Sequence, residues 1–419
     1  MRGLVAAGRN TFRSLRYFNY RAWAAGALVS NVGTWMQRAA QDWLVLTELT
    51  PHNAAAVGIT MSLQFGPALL LLPLTGFAAD HFDQRRMLML TQAALGVLAL
   101  ALGALVLSGT VQLWHVYLLA LLQGCAAAFD APVRQTFVGE LVDTRDLPNA
   151  VALNSMSFNA GRMIGPAVAG LVIASAGSGW AFVVNGLSFG AVLTSLALLR
   201  RGELRASARA PRKGLGLMQG VRYAWGRPDL LTNLGMVFFL STFGMNFPIF
   251  ISTMAVRVFH ADARGYGFLS SSMAVGTVAG ALLAAGWMPR FATLMSSAAV
   301  FGLGCALGAA APGYGWFAAA LVLTGMAGLI FMNTSNSLMQ LGAQPDMRGR
   351  VMALRLAIAQ GCTPLGAPLV GWVADHWGAR WSLAVGAASG LVAAGIALWY
   401  LRWAKNGPGR SGPDAPAPG

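Results

Sequence analysis

The chain has 419 residues, of which 56% are apolar and only 10% are charged. A soluble domain carries about 25% charged residues, so this composition excludes a water-soluble globular protein of this size. The net charge of +15 does not indicate a nucleic-acid ligand, because the arginines are scattered over short segments between apolar runs, as in the basic loops of membrane proteins.

The apolar runs are about 20 residues or longer, the length at which an α-helix crosses the hydrocarbon core of a bilayer. They predict an all-α membrane protein with twelve transmembrane helices. In chain order, the predicted helices cover residues 21–47, 54–78, 87–108, 113–137, 150–175, 180–200, 231–256, 264–288, 292–311, 314–337, 351–373 and 380–402.

A polar loop at residues 201–230 separates two sets of six helices, and its part at 217–231 is expected to form a short amphipathic helix on the inner membrane surface. The expected organisation has five parts. They are a cytoplasmic N-terminal segment at 1–20, a six-helix bundle at 21–200, the cytoplasmic loop at 201–230, a second six-helix bundle at 231–402 and a disordered cytoplasmic tail at 403–419.

The distribution of positive charge predicts the orientation. With the N-terminus inside, 24 of the 29 Lys and Arg residues fall in or beside cytoplasmic segments, and three (Arg257, Arg264 and Arg380) fall on the opposite side. The other two, Arg38 and Arg162, lie inside predicted helices. Because cytoplasmic loops are enriched in Lys and Arg, we expect a multi-pass protein of the bacterial inner membrane with both termini in the cytoplasm.

The two sets of six helices share a sequence repeat at one fixed offset of 201 residues. The matched pairs include Gly165 with Gly366, Gly170 with Gly371, Gly177 with Gly378 and Trp180 with Trp381. Parallel repeats of this kind are typical of secondary transporters, whose binding site lies between the halves near the membrane midplane.

The loop after the second predicted helix reads "GFAADHFDQRR" and resembles the signature of the major facilitator superfamily. Gly76, Asp80, Arg85 and Arg86 match the signature. His81 stands where the family has Arg, and Asp83 stands where it has Gly. The resemblance implies that Asp80 caps the cytoplasmic end of a helix in the other half and that this contact holds one of two access states. The alternative for Arg85 and Arg86 is an ordinary positive-inside role.

A second signature, "GRMIGPAVAG" in the fifth helix, places Gly161, Gly165 and Pro166 in a pattern associated with antiporters of the superfamily. The two glycines also form a small face that allows close helix packing, and Pro166 is expected to bend the helix. Ala120 stands where many relatives carry an Arg, so the proton role of that Arg is not transferred.

The stretches "SNVGTWMQRAAQDWLVLTELT", "AFDAPVRQTFVGELV", "NAVALNS" and "RGRVMAL" resemble the enterobactin-exporter-like branch. This resemblance implies alternating-access, proton-coupled export of a small amphipathic compound, siderophore-like or drug-like. Import or facilitated diffusion of a small metabolite is the alternative.

Asp42 is the one acidic residue predicted well inside a helix, and Arg38 precedes it by one turn. Three roles remain open. The pair is a structural ion pair, or Asp42 takes up a proton while Arg38 modulates its proton affinity, or one of the two contacts the substrate.

Further polar or aromatic side chains are expected to line a substrate cavity, and each has interhelical packing or hydrogen bonding as its alternative. These candidates are Asn31, Trp35, Gln41, Arg162, Asn246, Asn333, Asn336 and Gln360. For Arg162, the open roles are binding of an anionic substrate, pairing with Asp42 across the bundle and a structural contact with a carbonyl or an acid.

No catalytic or nucleotide-binding motif occurs, and the five histidines lie in loops or at helix ends, so we expect neither an enzyme nor a cofactor nor a metal site. The expected partners are a small-molecule substrate, protons as coupling ions and the lipid bilayer. The chain is expected to work as a monomer, without a nucleic-acid partner.

Overall fold

The computed structural model describes residues 12–205, 217–284, 288–344 and 346–406. The ends of the chain and part of the predicted central loop, residues 1–11, 206–216 and 407–419, lie outside the described residues, as do 285–287 and 345. The side chains of residues 72, 73, 76, 79, 80, 217 and 404–406 also lie outside them.

Every regular element in the described residues is helical, which confirms the prediction of an all-α protein. The helices are α1 (Phe18–Trp43), α2 (Ala54–Leu70), α3 (Leu72–His81), α4 (Gln84–Leu107), α5 (Leu113–Leu141), α6 (Leu147–Ala176), α7 (Ser178–Leu198), α8 (Leu217–Trp225), α9 (Pro228–Phe239), α10 (Phe247–Thr253), α11 (Ala263–Ala284), α12 (Phe291–Ala309), α13 (Tyr314–Gly342), α14 (Arg348–Gly361), α15 (Thr363–Trp377) and α16 (Ala379–Asn406).

Ten helical stretches in the described part of the chain are long and apolar enough to cross a membrane. Two of them join neighbouring elements, at Pro228–Val258 and Arg348–Trp377. The helix α1 is not among the ten, and α2 is a shorter apolar helix. The chain is therefore a multi-pass membrane protein.

Three of the predicted helices are interrupted, each just before a proline. The second predicted helix divides at Leu71, the seventh at residues 245–246 and the eleventh at Cys362. The helices that follow, α3, α10 and α15, all carry proline in their first turn. Proline lacks an N–H group and clashes with the preceding turn, but it fits the start of a helix, so the chain stops and begins again.

The short helix α8 lies within the segment predicted to be amphipathic. Ala224 is buried, whereas Met218 and Trp225 are exposed. The predicted segment does not form one helix, because α8 ends at Trp225 and α9 begins at Pro228.

The helices form two compact units. Unit 1 contains the described residues of Met1–Leu49, Gly66–Pro211 and Ala263–Phe268. Its helix α1 packs against α6 and α7, and α4 packs against α7 and α5. One end of this unit has a buried aromatic core in which the rings of Trp23 and Phe137 meet edge to face at 5.6 Å.

Unit 2 contains the described residues of Thr50–Phe65, Arg212–Asp262 and Leu269–Gly419. Its helix α12 packs against α16 and α13. Asp375 at the end of α15 accepts hydrogen bonds of 2.8 Å from the amides of Ala54 and Ala55, the first residues of α2. Arg257 forms an ion pair of 2.5 Å with Asp375 and also donates to the carbonyl of His52. The carboxylate therefore caps α2 within this unit.

Candidate functional site

Asp42 and Arg38 lie one turn apart on α1, as predicted, and their opposite charges attract each other. Asp42 is only 8% exposed. The hydroxyl of Tyr266, from the first turn of α11, donates a long hydrogen bond of 3.5 Å to Oδ2 of Asp42. The ring of Trp43 lies 5.9 Å from the ring of Tyr266. Unit 1 therefore places a cation and a hydroxyl at this carboxylate, and an indole lies beside the ring that carries the hydroxyl.

A second group of side chains contacts Trp35, which lies about one turn before Arg38 and two turns before Asp42 on α1. The guanidinium of Arg38 lies 4.8 Å from the centre of the Trp35 ring, and that of Arg162 lies 5.7 Å away. Phe158 meets the same indole edge to face at 5.6 Å. Cations are attracted to an indole face, so α6 contributes both an aromatic and a cationic contact. We call Trp35, Arg38, Asp42, Phe158, Arg162 and Tyr266 the Trp35 cluster.

The close packing of α6 on α1 depends on two glycines of the second signature, Gly161 and Gly165. A Cβ atom built on Gly161 would lie 2.8 Å from the carbonyl carbon of Asn31. One built on Gly165 would lie 2.8 Å from the amide nitrogen of Met36. Any side chain at either position would push the helices apart. The helix α6 continues through Pro166 without a break in its assigned range.

A buried polar network joins α1, α4, α5 and α6 within unit 1. Asp130 on α5 forms an ion pair of 2.9 Å with Arg134, one turn later. Its other oxygen accepts from Thr91 at 2.8 Å and from Gln92 at 2.6 Å. Asn31 donates to Ser157 at 3.0 Å and accepts a long hydrogen bond of 3.4 Å from Arg134. Asn31, predicted to line the cavity, is thus part of a hydrogen-bond network.

Unit 2 also has a polar network, but among the described residues this network contains an arginine and no carboxylate. Arg355 on α14 donates to the hydroxyl of Ser335 at 3.1 Å and to the carbonyl of Met332 at 2.8 Å. Asn336 accepts a longer bond of 3.4 Å from the same guanidinium. Ser335 in turn donates to Asn233 at 2.6 Å. At the repeat offset, Ser335 occupies the position of Arg134, and buried Phe331 occupies that of Asp130.

The remaining cavity candidates are distributed over both units. Gln41 is buried in unit 1, and its side-chain oxygen has no hydrogen-bond partner among the described residues. Asn246 is buried in unit 2, where its amide donates to the carbonyl of Thr242 at 2.7 Å. Asn333 and Gln360 are exposed.

The signature loop shows where two of its charged residues act. Arg85 donates to the carbonyls of Leu196 at 2.8 Å and Ala197 at 3.4 Å, near the end of α7. Asp83 caps the start of α4 by accepting from the amide of Arg86 at 2.7 Å. Residue 83 therefore has a cap function that a glycine side chain does not supply. The side chain of Asp80 and the surroundings of Gly76 lie outside the described part, and the Arg86 side chain is exposed.

Sequence reasoning missed three side chains of these networks. Asp130 lies seven residues before the end of the predicted helix 113–137 and was not among the candidates, but α5 continues to Leu141 and the residue is only 5% exposed. Asp42 is thus not the only buried acid in a helix. The cytoplasmic charge count of 24 included Arg134 and Arg355, both of which lie within helices. The four-residue spacing of Asp130 and Arg134, the same as that of Arg38 and Asp42, was the available signal.

Among the described residues, no group of three or more His, Cys, Asp or Glu side chains has an arrangement that could hold a metal ion.

Residues 10–408 match a family of the major facilitator superfamily that is described as "Transmembrane secretion effector". The multidrug efflux pump Tap of Mycolicibacterium fortuitum is 28% identical, over 84% of this chain and 88% of that protein. The staphyloferrin A transporter of Staphylococcus aureus is 25% identical, over 83% and 87%. The enterobactin exporter EntS of Salmonella choleraesuis is 25% identical, over 78% and 79%.

Solved structures support the fold. A bacterial homologue of the human lysosomal transporter Spinster, in an inward-facing and unoccupied conformation, superposes with a TM-score of 0.70 at 14% identity, over 92% of this chain and 97% of that one. A POT family transporter in complex with a thioalcohol-conjugated peptide superposes with a TM-score of 0.72 at 13% identity, over 92% and 96%.

Proposed function

The chain belongs to the transmembrane secretion effector family of the major facilitator superfamily, and we propose that it exports a small amphipathic organic compound across the inner membrane of a bacterium. It is a transporter and not an enzyme. The observation that carries the export proposal is the likeness to a multidrug efflux pump over 84% of the chain and to an enterobactin exporter over 78%. A siderophore-like or drug-like cargo follows from the same likeness.

The proposed topology has twelve spans in two halves of six, at residues 21–200 and 231–402. The ten long apolar helices supply ten spans, α1 supplies another, and α2 with α3 supplies the last. Both termini are placed in the cytoplasm. Removing Arg134 and Arg355, which lie within helices, from the count of 24 leaves 22 positive charges on that side against three on the other, and this asymmetry supports the orientation.

Asp42 is the proposed proton site. An ionisable group inside a membrane helix is costly and is expected to face a wet cavity or the bundle interior. Arg38 and Tyr266 both interact with this carboxylate, so a change at either one alters the balance between its charged and neutral forms. A structural ion pair between Arg38 and Asp42 is the competing role.

The proposed cargo contacts are the polar candidates of both units. In unit 1 these are Asn31, Trp35, Gln41 and Arg162, and in unit 2 they are Asn246, Asn333, Asn336 and Gln360. Asp80, Arg85, Arg86 and Gly76 of the signature loop, with Gly161, Gly165 and Pro166 of α6, are proposed to act in the switch between access states. The transporter is proposed to act as a monomer.

The proposal is tested in everted membrane vesicles with a pH-sensitive dye and a panel of siderophores and amphipathic toxic compounds. We expect at least one compound to cause a proton flux that the Asp42→Asn variant abolishes. The matched control is Asp229→Asn, because Asp229 forms its ion pair with Arg227 at the start of α9. Unchanged proton flux in Asp42→Asn would refute coupling through this residue. Accumulation in whole cells, instead of efflux, would favour the import alternative.

A further inference from the structure

The helices of unit 1 bury more positive than negative charge at one place. Asp130 and Arg134 neutralise each other, but the Trp35 cluster holds one acid and two arginines: Arg38 interacts with Asp42, and Arg162 contacts Trp35. The two guanidiniums share the indole of Trp35, and their charges repel each other. With Asp42 ionised, the cluster carries one uncompensated positive charge.

Arg162 is the arginine of the cluster without a counter-ion. Its recorded contact is the Trp35 ring, and no described carboxylate forms an ion pair with it. A cation inside a membrane helix needs an anion, a carbonyl or water to offset the loss of hydration. Cation–π contact with an indole offsets only a part of that loss. The site is therefore suited to a negatively charged group from elsewhere.

We propose that the cargo carries an anionic oxygen group, such as a carboxylate or a phenolate, and that Arg162 binds this group beside Arg38 in the Trp35 cluster. The guanidinium presents parallel N–H donors that match two oxygens of one anion. Trp35 and Phe158 meet edge to face next to it, and they provide apolar surface for the rest of an amphipathic molecule. This proposal rests on the proposed export function and names the chemical class of its cargo.

Unit 2 gives independent support for a negatively charged cargo. Arg355 is only 7% exposed, and it donates to a hydroxyl, a carbonyl, an amide oxygen and a thioether, all of them neutral. No described carboxylate forms an ion pair with it. At the repeat position where unit 1 carries Asp130, unit 2 carries Phe331. Within each unit, then, the buried arginines outnumber the buried acids of these networks by one.

An anionic cargo also fits the direction of transport. The membrane potential acts on every charge that crosses the bilayer, and an inside-negative potential pushes an anion outwards. Export of an anion therefore uses the electrical part of the gradient, whereas export of a cationic compound works against it.

The test compares three naphthalene probes of nearly equal size, a carboxylate, an alcohol and an amine, for binding to the purified full chain in lipid nanodiscs at pH 7. We expect the carboxylate to bind about tenfold more tightly than the amine, the effect of a charge-assisted hydrogen-bond pair. Tighter binding of the amine, or equal binding of all three probes, would overturn the proposal without any variant.

Variants then assign the effect to Arg162. Arg162→Gln is expected to lose the roughly tenfold preference for the carboxylate, and Arg162→Lys is expected to keep a part of it. Arg201→Gln, which removes an exposed arginine of unit 1, is the control and keeps the full preference. An unchanged preference in Arg162→Gln overturns the assignment. If Arg162→Gln does not fold, a full preference in the Arg162→Lys variant overturns the two-oxygen contact, and a reduced preference supports it.

Vesicle transport of the same probes separates this proposal from the export function. Efflux of the amine without efflux of the carboxylate leaves export standing and overturns the anion site. Arg162-dependent binding of the carboxylate without efflux of any probe supports the anion site and counts against export of this class.

Discussion

Replacing Asp130 by Ala tests whether the buried network of unit 1 is a source of stability. The carboxylate accepts hydrogen bonds of 2.8 Å from Thr91, 2.6 Å from Gln92 and 2.9 Å from Nε of Arg134, and it forms an ion pair of 2.9 Å with a terminal nitrogen of the same guanidinium. The side chains of Asp130 and Arg134 are 7% and 19% exposed, so solvent screens the pair only weakly. Removing one partner of a buried ion pair typically costs about 3–5 kcal/mol, because the other charge stays buried without a counter-ion.

We therefore expect Asp130→Ala to lower the free energy of unfolding by about 3–5 kcal/mol. The assay is SDS titration of the protein in mixed micelles, followed by tryptophan fluorescence. The double variant Asp130→Leu with Arg134→Met removes both charges and keeps the volume. It should be more stable than Asp130→Ala, with a remaining loss of about 1–3 kcal/mol from the unsatisfied amide of Gln92.

The reasoning is refuted by either of two results. One is an Asp130→Ala protein within about 1 kcal/mol of the unsubstituted protein, well below the loss of a buried partner. The other is a double variant that is no more stable than the single one, because the loss would then not come from the stranded guanidinium.

Three further predictions concern packing, capping and pH. Gly165→Val should reduce the yield of folded protein, whereas Gly190→Ala, with open space around its Cβ position, should leave it unchanged; equal yields would contradict the packing argument. Asp375→Ala should cost about 1 kcal/mol at the start of α2 and speed hydrogen exchange of its first amides; unchanged exchange would exclude the cap. The hydroxyl of Tyr17 and neighbouring arginines lower the pKa of the Asp146 carboxyl. This contact therefore contributes its full stability to the folded state above the ordinary Asp pKa, and the contribution is lost as the pH falls through the lowered pKa. Pepsin should therefore cleave residues 12–17 faster in strong acid, and Tyr17→Phe should shift that onset to higher pH; an unshifted onset would refute this role of the hydroxyl.

The features that sequence reasoning predicted are mostly local or repeated along the chain. The one-turn spacing of Arg38 and Asp42 places both on one helix whatever the tertiary structure. The small face of Gly161 and Gly165 likewise predicts close packing, although it does not identify α1 as the partner. Family membership and the all-α class followed from composition, span length and motifs.

What the sequence could not predict depends on contacts between distant segments or on exact helix ends. Tyr266 contacts Asp42 although the two are 224 residues apart in the sequence, and no sequence periodicity predicts such a contact. Arg355 lies four residues inside the predicted helix 351–373, but it was counted with the cytoplasmic charges because a predicted helix end is uncertain by a few residues. The structure places it well within α14, which begins at Arg348.

The different charges at matching repeat positions have an evolutionary consequence. In unit 1, a mutation of Arg134 strands the carboxylate of Asp130, so selection for folding restrains both positions together. In unit 2, Phe331 stands in place of that acid, and a mutation of Arg355 strands no carboxylate among the described residues. We expect sequences descended from a common ancestor to conserve the first pair and to vary the second arginine. Of these two arginines, the one in unit 2 can lose its charge in a single mutational step without leaving a described carboxylate unpaired.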